Sequence, residues 1–94
     1  MYTKKPILLE EIGYSTLGVS EADQGTRLHD TLSAADSNGL AGWMVWTAFD
    51  FSTDVACDPP ACPGTDNGEL HFGLWHADCT PKAAVNVIKA LAAP

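Results

Sequence analysis

The segment Lys5-Pro6-Ile7-Leu8-Leu9-Glu10-Glu11-Ile12-Gly13 constrains the chain most, because it ends a short apolar run in two carboxylates. A proline at its start cannot sit in a helix interior and a glycine closes it, so a short buried strand is expected. Strict alternation puts Ile7, Leu9 and Glu11 on one face and Leu8, Glu10 and Ile12 on the other. One glutamate must then share a face with core residues. A carboxylate there is costly unless it is hydrogen-bonded or lines a wet cleft, and functional sites are where such costs are tolerated.

After the loop Tyr14 to Val19, Ser20-Glu21-Ala22-Asp23 resembles a capping box, with acids suited to the positive end of a helix dipole. Leu28, Thr31, Leu32 and Ala35 form a helical stripe, and Asn38-Gly39 supplies a left-handed ending. The spacing predicts a helix over 20–37. Gly42 to Thr47 reads as a second strand, apolar on both faces as covered parallel strands are, with Gly42, Met44 and Trp46 opposite Trp43, Val45 and Thr47. A long loop rich in Asp, Pro and Gly fills 48–70. His71 to His76 is expected to be extended, and Thr80 as N-cap with Pro81 at the first helical position to open a last helix over 80–92. Ala84, Val87, Ile88 and Leu91 give its stripe. The order is α/β, two strand-helix units, with the first strand over 6–12 and the second over 42–47.

A chain of 94 residues holds at most one domain, and one of this size buries only about 60–65% of its unfolded surface. Twelve acids against five Lys and Arg give a net charge of -7, which repels nucleic-acid phosphate and anionic lipid. Neither is an expected partner. No run approaches the ~18 apolar residues of a membrane span, and no apolar signal core precedes the first strand. The abrupt entry into a strand leads to the expectation that an N-terminal portion of a larger protein is absent.

Three of these segments together carry a family resemblance. Lys5-Pro6 through Glu11-Ile12-Gly13 resembles the seventh-strand signature of clan A glycoside hydrolases, most of all glycoside hydrolase family five. Gly42-Trp43-Met44-Val45-Trp46 is similar to their eighth strand, and Phe72-Gly73-Leu74-Trp75 with Thr80-Pro81-Lys82-Ala83 to their closing segment. The resemblance covers nearly the whole chain. It implies the last two units of a (β/α)8 TIM barrel, a fold of typically about 250 residues with its active site at the C-terminal ends of the strands.

It also implies roles. Glu11 matches the catalytic nucleophile, whereas Glu10 stands where the family has a small residue and reads as solvated or salt-bridged. Trp46 matches the tryptophan flooring the sugar subsite, and Trp46-Thr47 the place of a cis peptide bond. Tyr14 and Trp75 are candidates for substrate contact or for packing, and Trp43 is expected in the core. The reaction implied is retaining hydrolysis of a β-linked glucan or mannan, with a second carboxyl about 5–5.5 Å from the nucleophile. That acid/base glutamate belongs to the fourth strand, which this chain lacks, so the isolated chain is expected to need the remaining barrel or self-association. No cofactor is implied.

Cys57-Asp58-Pro59-Pro60-Ala61-Cys62 reads as a disulfide in an oxidising compartment, fitting a secreted, extracellular protein whose signal peptide is not in this chain. Cys79 is left unpaired. A zinc site from Cys57, Cys62, Cys79 and His71 or His76 is the sharper alternative, with Cys-x4-Cys at the wide edge of the usual spacing. Asp50, Asp54, Asp58, Asp66 and Glu69 read as a solvated acidic surface rather than a calcium site, and His29 as a surface residue. Two other function classes stay open: a non-catalytic sugar-binding or scaffold chain of the same fold, and an unrelated small α/β interaction domain.

Overall fold

The computed structural model describes residues 4–53 and 66–93. The Cys57–Cys62 pairing therefore lies outside the described residues. Strand β1 (Leu8–Ile12) pairs in parallel with β2 (Gly42–Val45), and helix α1 (Glu21–Ser37) makes the crossover between them. Helix α2 (Ala84–Ala92) packs beside α1 on the same side of the pair. The molecule is thus a small α/β unit of two parallel strands and two helices.

Local chemistry explains the ends of α1. The Ser20 side chain accepts from the Asp23 N–H at 3.0 Å, and Glu21 and Asp23 sit in the first turn, where the helix dipole favours negative charge. At the other end Asn38 Nδ2 donates to Ala34 O, and Gly39 takes φ +74, open to glycine without a Cβ clash. Leu28 and Leu32 are fully buried, each stabilising by about 1.5–3 kcal/mol. The core gathers Leu28, Leu74, Ala84 and Val85 between helices and sheet, with Ile12, Tyr14, Val45, Trp75 and Ile88 packed around it.

The helix α2 begins at Ala84, three residues later than Thr80 as N-cap would place it. Hydrogen bonding decides this. Pro81 bridges antiparallel to Trp75, the Lys82 N–H donates to Leu74 O, and the Thr80 hydroxyl and N–H both bind Asp78. Residues 80–82 are thereby held in an extended strap, and Ala83 caps the helix with no side-chain hydrogen bond. His71 likewise ends a 3-10 turn (Gly68–His71) instead of opening an extended piece, because Asn67 caps that turn by accepting from the Glu69 N–H.

The strand alternation also departs from the simple pattern. Leu8 pairs with Gly42, Leu9 with Trp43 and Ile12 with Val45, with a register shift between Leu9 and Ile12. The first strand advances three residues there while the second advances two. An additional residue in one strand bends it and resets the pleat. Leu9 and Ile12, expected on opposite faces, therefore both turn toward the helices.

Candidate functional site

The register shift is what presents Glu11. Ile12 and Val45 pack against the buried cluster, and Trp43 donates from Nε1 to Asp36 on α1. That face belongs to the helices, where Trp43 is half-buried at the edge of the core rather than within it as expected. Counting from Ile12 and Val45, Glu11 and Trp46 fall on the opposite, open face. Glu10 and Glu11 are both exposed, and Met44 and Trp46 keep 56% and 43% of their surface accessible. Trp46 follows the last residue of β2, with its N–H donating to Ile12 O at 2.8 Å, and its bond to Thr47 is cis.

Gly13 allows the two strand ends to meet. A Cβ on it would overlap the Trp46 carbonyl oxygen and press on Phe72. Only glycine lets the backbone after Glu11 come this close to Trp46.

Tyr14 and Trp75 go elsewhere. The Tyr14 hydroxyl lies 2.8 Å from Thr31 Oγ1, its ring packs on the core, and the Arg27 guanidinium sits 5.9 Å from the ring centroid. Trp75 also packs on the core, with its ring centroid 5.7 Å from that of Phe49. The structure brings Glu11 and Trp46 to one face and engages Tyr14 and Trp75 with the helix layer.

Behind the strand ends lies a polar centre. Lys82, 2% exposed, donates from Nζ to Asp50 Oδ1 at 2.7 Å, to Thr16 Oγ1 at 2.9 Å and to His71 O at 3.3 Å. Asp50 Oδ1 accepts in addition from the Gly73 N–H at 2.8 Å. One buried ammonium thus ties together the loops after β1 and β2, the 3-10 turn and the strap before α2. His71 and His76 flank Asp50, with Nδ1 atoms 3.6 Å and 3.8 Å from its Oδ2. Gln24, fully buried, donates from Nε2 to the carbonyls of Tyr14 and Gly73, leaving its Oε1 without a partner among the described residues.

Asp50 is therefore buried in this centre and does not belong to a solvated acidic surface. Its burial escaped sequence reasoning, which grouped it with the loop acids; the one available signal was Lys82, a lone cation in the closing motif. Cys79 is exposed at φ +72 and free. Among the described residues no group of three or more His, Cys, Asp and Glu is arranged to hold a metal ion, and no helix is long and apolar enough to cross a membrane.

Fold and open face together define the class: an α/β unit structurally similar to part of a glycoside hydrolase. The solved structure in question is a glycoside hydrolase family two (GH2) β-galacturonidase from Eisenbergiella tayi, bound to galacturonate. It matches with a TM-score of 0.72 and 28% identity over 95% of this chain, and the chain spans 17% of that protein. No family model and no curated protein matches the sequence. This likeness is to a GH2 enzyme, whereas the motifs resemble family five.

Proposed function

We propose that the chain forms the last two strand-helix units of a (β/α)8 glycoside hydrolase that cleaves β-linked poly- or oligosaccharide with retention. The similarity of 95% of the chain to the GH2 enzyme carries this reading. Glu11 is the nucleophile, attacking the anomeric carbon to form a glycosyl-enzyme. A second carboxyl, about 5–5.5 Å away and supplied by the rest of the barrel, protonates the leaving oxygen and then activates water. Trp46 floors the sugar subsite, its apolar face against the C–H face of a pyranose.

The open face supports the larger assembly. Leu8, Met44 and Trp46 are all exposed there, and a two-strand sheet, all that the described residues form, is marginal alone. Further units of the same barrel, or copies of the chain, cover it. Secretion into an oxidising compartment is part of the proposal and rests on the Cys57–Cys62 spacing.

The test is hydrolysis of aryl β-glycosides by the complete barrel. Glu11→Gln should lower kcat by at least about a thousandfold, while Trp46→Ala should weaken kcat/KM. A Glu11→Gln enzyme that keeps its turnover contradicts the proposal. Sugar binding that depends on Trp46, without turnover by the complete protein, would support a non-catalytic sugar-binding chain instead.

A further inference from the structure

A cavity of about 610 Å³ opens over the polar centre, in the size range of ligand pockets. Asp50, His71 and His76 line it, with Phe51 and the hydroxyl residues Thr16 and Thr80. The hydrogen-bonding roles at its floor follow from the contacts. His71 Nε2 faces Asp66, and His76 Nε2 lies 3.2 Å from Glu21 Oε1. An ionised carboxylate only accepts, so Nε2 of each ring donates to its partner. Both Nδ1 atoms face Asp50 Oδ2, which meets no hydrogen-bond donor among the described residues because Lys82 and Gly73 donate to Oδ1. Asp50 Oδ2 is thus a carboxylate oxygen left without a donor among the described residues, on a residue that lines the cavity.

We propose that this cavity is a second saccharide-binding pocket, separate from the Glu11 and Trp46 face, that takes a neutral sugar by its vicinal hydroxyls. The gaps of 3.6 Å and 3.8 Å to the two Nδ1 atoms are too long for direct bonds and leave Asp50 Oδ2 open to donors entering from the cavity at about 2.8 Å. Neighbouring hydroxyls of a pyranose bring two such donors at once. Phe51, 38% exposed, supplies a flat apolar wall for the ring's C–H face, and Thr16 and Thr80 complete the polar side. Asp78 also lines the pocket; with Asp50 it sets two carboxylates against a uronate. The GH2 structure holds galacturonate, so the two sugars are told apart by charge. The choice of a sugar as ligand rests on the proposed function; the need for a donor does not.

The test is a magnetic-resonance titration of the complete protein, selectively labelled at histidine and glycine, following the imidazole signals of His71 and His76 and the Gly73 amide. Methyl β-glucoside should shift all three saturably, and galacturonate should bind about tenfold or more weakly. Phe51→Ala should weaken the glucoside about five- to tenfold. No shifts in the wild-type protein, equal response to galacturonate, or glucoside binding unchanged by Phe51→Ala would each overturn the pocket. Saturable glucoside binding alongside a Glu11→Gln enzyme that still turns over would leave this site standing while the proposed nucleophile falls.

Discussion

Replacing Lys82 by methionine keeps the length of the side chain and removes its charge. The Asp50 carboxylate, 6% exposed, then loses the one Lys or Arg at hydrogen-bond distance among the described residues. Thr16 Oγ1 and His71 O lose a donor as well. Removing one partner of a buried ion pair costs about 3–5 kcal/mol, because the charge left behind cannot be solvated. A chain of 94 residues has in total about 5–14 kcal/mol of stability, so the variant is expected to lose a large part of it. The double variant Asp50→Asn with Lys82→Met separates charge from packing. An asparagine Oδ1 still accepts the Gly73 N–H, and no uncompensated charge remains, so about 2 kcal/mol should return. Urea unfolding followed by tryptophan fluorescence measures both, with an unchanged slope as the check on two-state behaviour. A single variant within about 1 kcal/mol of wild type, or a double variant no more stable than the single, would refute the ion-pair account.

Two further outcomes are open to direct measurement. Gly13→Ala forces a Cβ into the Trp46 carbonyl and toward Phe72 and should cost about 1–3 kcal/mol with a changed tryptophan emission; unaltered stability and emission would contradict the close approach. Folding lowers the Asp78 carboxyl below its ordinary 3.8, chiefly through the hydrogen bond from the Thr80 hydroxyl. The associated stability is fully present above pH 3.8 and is lost as pH falls through the lowered value. Thr80→Ala should therefore move the Asp78 titration midpoint, followed by carbon resonance, upward toward 3.8, and an unmoved midpoint would refute the cause.

The order strand, helix, strand, helix was legible in the sequence because each element has a local signature: Pro6 and Gly13 around β1, Ser20 and Asn38-Gly39 around α1, and an apolar stripe along α2. Glu11 and Trp46 could be singled out by motif. The register shift between Leu9 and Ile12 was not legible, since it depends on how two strands separated by a helix pair. Alternation alone grouped Glu11 with Leu9, whereas the irregularity turns Leu9 toward the helices and leaves Glu11 on the open face. The Thr80-Pro81 pair is a good helix start in isolation, yet a bridge to Trp75 holds it extended. Asp50 reads as one more acid in an acidic loop, and only the arrival of Lys82 from 32 residues away makes it a buried centre.

The central claim is that Glu11 forms the covalent bond to sugar. Its most direct test is a mechanism-based fluorosugar fluoride reacted with the complete barrel, followed by peptide mass mapping. The account predicts one equivalent of label on the peptide carrying Glu11, absent in Glu11→Gln. Label on any other carboxylate, or label that survives that substitution, would contradict it.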